Sequence, residues 1–149
     1  MKQDIPEFIS KLTDPEGLRN VMDNARSKGR EDVYWAAFRR LCEVEGMPYD
    51  DPLHRDFHQV LTAYEELLTE KNGRTTKASR TRQKLARHSV EKCLEDWALS
   101  TTPTQGFELL TKAGMTELTA EYLVTQYPDR FSTAAVEAAQ KRLNERRTD

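Results

Sequence analysis

His54 and His58 stand at i, i+4, the spacing that puts two imidazoles on one face of a helix, as a two-histidine metal site requires. Asp50, Asp51 and Asp56 are close in sequence, but no Glu lies between the histidines and no third or fourth ligand can be named. Surface histidines near a helix start are the stronger reading, and no metal is assigned. His88 and Cys93 are about one helical turn apart. Cys93, however, belongs to an apolar set with Val90, Leu94 and Trp97, which makes it a packing residue rather than an activated thiol. His-Arg-Asp at 54–56 shares letters with a kinase catalytic loop, yet the chain has neither the glycine-rich loop nor the length of a kinase. No Gly-rich phosphate loop, nucleophile elbow or Cys-x-x-Cys occurs. The expectation is a protein with no catalytic residue and no cofactor.

The chemistry most open to this chain is electrostatic. From Lys71 to Lys92 there are eight Lys or Arg and one acid, Glu91, a net +7, in a chain whose overall charge is −2. Such segregation points to a polyanion or to an acidic partner surface. Lys77, Arg80, Lys84, Arg87 and His88 fall within roughly 100° of one another if the segment is helical, with Leu85, Val90, Leu94 and Trp97 pointing elsewhere. A row of cations about one turn apart can follow nucleic-acid phosphates, each contact releasing counterions. Arg74, Thr75, Thr76 and Ser79 lie where a helix start would favour a phosphate. The candidate site is therefore Arg74, Lys77, Arg80, Arg82, Lys84 and Arg87, and the leading function is binding to a DNA or RNA backbone. The alternative is an adaptor or inhibitor that docks an acidic protein, or a second copy of itself as a homodimer, on the same face. The bland reading is a solvated helix face answered by Glu65, Glu66, Glu70, Glu91, Glu95 and Asp96.

Helices must position these groups. Ile5, Phe8, Ile9 and Leu12 have helical spacing behind Asp4 as a cap. Asp14-Pro15 and Asp51-Pro52 each place a capping acid before a proline at the first helical position, and predict helices carrying Leu18, Val21, Met22 and Ala25, and Leu53, Phe57, Val60, Leu61, Tyr64, Leu67 and Leu68. Between them, residues 31–46 are apolar over more than half the helical circumference and mark the central element; Trp35 and Arg39, one turn apart, could stack as a cation–π pair. Asn72-Gly73 closes the fourth helix, and the basic segment reads as helical from about Thr76 to His88, with Ser89 capping a second piece that carries Val90, Cys93, Leu94 and Trp97. Together with the Asn72-Gly73 turn, residues 53–88 loosely match a helix-turn-helix. Thr102-Pro103 predicts a sixth helix stopped by Gly114, Thr116 caps a seventh ended by Pro128, and Phe131 and Val136 bracket a Ser132 cap for the last, which frays after Leu143.

No segment alternates with a period of two. The expectation is an all-α bundle of about eight helices in one domain over 1–149, helices 4–46 packed on helices 52–146. Trp35, Phe38, Leu41, Phe57, Leu61 and Tyr64 form the expected shared core. No apolar run reaches the roughly 18 residues of a membrane span, and the first residues lack a signal-peptide core. Cys42 and Cys93 inside apolar patterns read as free thiols in a reducing cytoplasm.

Overall fold

A capping acid followed by proline satisfies orphan N–H groups at a point where proline's missing donor costs nothing. In the computed structural model, which describes residues 5–101 and 105–147, both such sites begin helices. The Asp14 carboxylate accepts from the Glu16 and Gly17 N–H groups at 3.3 and 3.2 Å and opens α1, Pro15–Ser27. Asp51 accepts from the His54 N–H at 3.1 Å and opens α3, Pro52–Asn72. Between them α2 spans Glu31–Gly46. A Cβ on Gly46 would meet the Arg55 carbonyl at 2.7 Å, so glycine is what lets the end of α2 approach α3.

The remaining elements are α4 (Ser79–Arg87), α5 (Val90–Leu99), α6 (Gln105–Lys112), α7 (Ala120–Gln126) and α8 (Thr133–Arg147). Among the described residues the fold is entirely helical, with 3-10 turns at Glu7–Lys11, Thr116–Leu118 and Pro128–Arg130. No described helix is long and apolar enough to cross a membrane.

Several boundaries differ from those the sequence predicts. The first element is a 3-10 turn led by Pro6, with Ile9 as its buried residue; the Asp4 cap lies outside the described residues, as does the Thr102-Pro103 start of α6. The turn before α7 is 3-10 because the Thr116 carbonyl accepts both the Thr119 N–H (3.1 Å) and the Thr119 hydroxyl (2.7 Å). Thr119, not Thr116, then caps α7 by accepting from the Tyr122 N–H at 3.2 Å. Ser132 caps α8 through the Ala135 N–H at 3.2 Å, and α8 continues to Arg147 instead of fraying after Leu143.

The apolar faces close on two clusters, not on one shared core. Phe38 and Leu41 join Leu18, Met22, Leu110 and Leu118, with Trp35 partly buried at the edge. Phe57 and Leu61 join Leu94, Val124, Ala135 and Ala139, with Tyr64 and Trp97 partly buried. Helix α3 serves both: Ala63 and Leu67 face the first cluster, while Leu53, Phe57, Val60 and Leu61 face the second. At 100° per residue Ala63 and Leu67 fall on one side of the α3 apolar stripe, and Leu53, Phe57, Val60, Leu61 and Leu68 on the adjoining side, so the helix presents two neighbouring faces to the two clusters. Cys42 and Cys93 are buried and free, one in each cluster.

Candidate nucleic-acid interface

The six candidate cations occupy the loop 73–78 and α4. Gly73 ends α3 in the left-handed conformation at φ +70°, which glycine reaches without steric cost. The loop is then stitched back onto α3. Thr76 N–H donates to Thr69 Oγ1 at 2.9 Å, Asn72 Nδ2 donates to Thr76 Oγ1 at 3.1 Å, and the Thr76 hydroxyl donates to the Arg74 carbonyl at 2.9 Å. The Thr69 hydroxyl also donates to the Thr76 carbonyl at 3.4 Å, so the acceptor that a helix beginning at Thr76 would offer its first turn is already engaged, and α4 starts at Ser79 rather than Thr76. The six-residue connection is also longer than the three or four residues that join a helix-turn-helix pair.

Glu65, on α3, holds the start of α4. Its side chain is 6% exposed, and its carboxylate accepts from the Ala78 N–H at 2.8 Å and from Arg82 Nε and Nη2 at 2.6 Å each, with Lys77 Nζ at 3.8 Å. Burial pushes the Glu65 carboxyl up, but the Arg82 fork, the Ala78 N–H and the Lys77 charge outweigh it and hold it below its ordinary value. The position that the sequence offers to a phosphate at the α4 N-terminus is thus filled by the protein's own carboxylate. Arg82 is bonded inward, and its guanidinium is held above its usual value by Glu65.

At the other end of α4, Lys84 pairs with Asp96 of α5, which also takes Lys92 at 3.1 Å. The Lys84 hydrogen bond, working against burial, keeps the Asp96 carboxyl low. The backbone turns extended at His88 (φ −132°, ψ −176°), so α4 and α5 are separate helices, and Ser89 caps the second through the Lys92 N–H at 3.1 Å.

Three of the six candidates remain. Arg74, Arg80 and Arg87 are exposed, and none of the three guanidiniums has an ion-pair or hydrogen-bond partner among the described residues. Every other arginine whose side chain is described contacts a carboxylate or a carbonyl oxygen; Arg55, for one, donates to the Tyr49 and Asp50 carbonyls. Arg80 and Arg87 are seven positions apart, about 10 Å along the helix and on nearly the same face.

The other sequence candidates disperse. His54 Nε2 lies 3.9 Å from both Asp51 and Glu91, whereas His58 stacks on the Tyr49 ring at 3.8 Å and has its pKa lowered by burial and by the Arg82 and His54 charges. No group of three or more His, Cys, Asp or Glu among the described residues is placed to hold a metal. Arg39 pairs with Glu117 instead of stacking on Trp35, whose ring meets Tyr34 and Phe38 edge-on; the cation–π contact is Arg26 over Tyr34, 3.8 Å from the ring centroid. Glu65 itself was readable in part: at 100° per residue it falls at the margin of the α3 apolar stripe beside Leu61 and Leu68, where an acid needs a partner. The chain matches no protein-family model, no curated protein and no solved structure.

Proposed function

We propose that the protein binds a nucleic-acid backbone through Arg74, Arg80 and Arg87, with Lys77, Arg82 and Lys84 serving to fix the segment that carries them. The observation behind this reading is the contrast in pairing: among the arginines whose side chains are described, these three guanidiniums alone have no internal acceptor. They occupy one stretch of loop and helix whose geometry is set by Glu65 at one end and Asp96 at the other. Guanidinium forks match phosphate oxygens, and a pre-positioned helix loses less freedom on contact than a mobile tail.

Three phosphate contacts on duplex DNA imply a slope of about −2.7 in a plot of log affinity against log salt, and about −2.1 on a single strand. The test is fluorescence anisotropy on a labelled DNA duplex and a labelled single-stranded RNA across a salt series. Replacing Arg74, Arg80 and Arg87 with Gln should flatten the slope by about two to three units. Lys28→Gln, which removes an exposed cation at the end of α1, should leave it unchanged. No salt-dependent binding at low ionic strength, or a slope indifferent to the triple substitution, would overturn the reading.

A further inference from the structure

On another side of the molecule a groove of about 610 Å³ runs between Arg26 of α1, Trp35 of α2, the last turns of α3 and the end of α6. That volume lies in the range of pockets that accept ligands and peptide side chains. Its floor is apolar, made by Trp35, Leu67, Leu109 and Ala113. Leu109 is 38% exposed, while its neighbour Leu110 is buried in the first cluster.

The charges on the walls fall into two kinds. Arg26 is held by Glu31 at 3.2 Å and by Glu70, and Glu70 also accepts the Tyr34 hydroxyl at 2.8 Å, so these groups satisfy one another. Lys71 and Lys112 are exposed and have no partner among the described residues. An apolar floor therefore lies between two unanswered cations. By helical rotation, Leu67 and Lys71 are more than about 100° around α3 from Glu65, which faces α4. The groove is a surface separate from the arginines of loop 73–78 and α4.

We propose that this groove docks an amphipathic helix of a partner protein, one that presents a leucine or aromatic anchor flanked by Asp or Glu. The anchor would cover Trp35 and Leu109, and the flanking carboxylates would pair with Lys71 and Lys112, the two cations of the groove that no described carboxylate opposes. The walls are helices and no described residue forms a strand edge, which favours helix-in-groove docking over strand addition.

The probe is a synthetic amphipathic peptide of about sixteen residues, with leucines at i, i+3, i+4 and i+7 and glutamates beside them. Amide NMR spectra of the full chain report where it binds, with the Trp35 indole N–H as the central reporter. The expected result is shifts centred on Trp35, Leu109 and Lys112, and an affinity weakened about tenfold by Leu109→Ser. The double substitution Lys71→Glu and Lys112→Glu should lose the glutamate-flanked peptide and gain its lysine-flanked counterpart, a reversal that misfolding cannot produce. All three positions are at the surface, and thermal melts of the variants verify folding. The proposal is overturned by the absence of shifts, by shifts elsewhere, or by equal affinity of the wild type for the two peptides. It is also overturned if an oligonucleotide displaces the peptide from the groove, which marks nucleic acid as the occupant, or if Leu109→Ser abolishes a dimer, which marks a second copy.

Discussion

The Glu65–Arg82 clasp makes an asymmetric prediction, because its two members differ in exposure. The Glu65 side chain is 6% exposed and the Arg82 side chain 49%. Glu65→Gln leaves an amide that still accepts from the Ala78 N–H, and it frees a guanidinium that can turn to water. Its cost should be about 1–2 kcal/mol, below the value for a buried pair because one partner is half solvated. Arg82→Gln leaves a buried carboxylate supported by the Ala78 N–H and a Lys77 ammonium 3.8 Å away. That is closer to stranding a buried charge and should cost about 3–4 kcal/mol. The double substitution should lie above Arg82→Gln in stability, since the stranded charge is gone.

The pH dependence separates the variants further. In the wild type the Glu65 carboxyl is held below its ordinary value, so its contribution is present above the unfolded pKa and is lost as pH falls through the folded one. In Arg82→Gln burial should dominate and raise the folded pKa, so the deficit relative to wild type should shrink on acidification. Urea melts at neutral and mildly acidic pH measure both effects, and hydrogen exchange at the α4 amides locates them. Equal losses, or a larger loss for Glu65→Gln, would refute the assignment of Glu65 as the buried member on which α4 is seated.

Other outcomes are expected elsewhere in the fold. Arg142 donates to Glu121 at 2.7 Å and to the Trp97 and Ser100 carbonyls at 3.2 and 2.5 Å, and the Glu121 side chain is 2% exposed; Arg142→Ala should therefore cost about 3–5 kcal/mol by urea melt. Burial raises the Glu121 carboxyl despite Arg142, so its contribution is full below the unfolded pKa and declines as pH rises through the folded one; Glu121→Gln should remove that decline from a plot of Tm against pH. Phe38→Ala, at a fully buried position of the first cluster, should leave a cavity costing about 3–5 kcal/mol in the same melts. Burial pushes the thiols of Cys42 and Cys93 up, so a thiol reagent at neutral pH should modify neither until denaturant unfolds the chain.

What the sequence made legible was local. The proline-marked caps at Asp14 and Asp51, the Gly73 stop, and the Ser89 and Ser132 caps all depend on bonds between near neighbours in the chain, and each is present. The Thr116 reading failed within the same range because two threonines three positions apart compete for one cap, and the backbone turn between them decides which wins. The shared core failed for a different reason. Helical periodicity identifies which side of α3 is apolar, but not that Phe57 and Leu67 meet different neighbours; that depends on how α2 and α7 pack against it.

The basic segment combines both limits. Counting residues from Lys71 to Lys92 gives +7, yet Lys77, Arg82, Lys84 and Lys92 are opposed within 4 Å by Glu65 and Asp96. Those carboxylates lie outside the helix they hold, and outside the counted window as well, so composition registers the cations without their partners. A nine-residue helix with no fully buried residue has little to stabilise it alone. The clasp at Glu65, the contact of Leu85 with the second cluster and the Lys84–Asp96 pair supply what propensity does not. Holding α4 thus uses part of the segment's charge, and it is the same fixation that presents Arg80 and Arg87 at a defined spacing. A triple substitution of the unpaired arginines should therefore change salt-dependent binding without changing stability, whereas loss of Arg82 should change stability first.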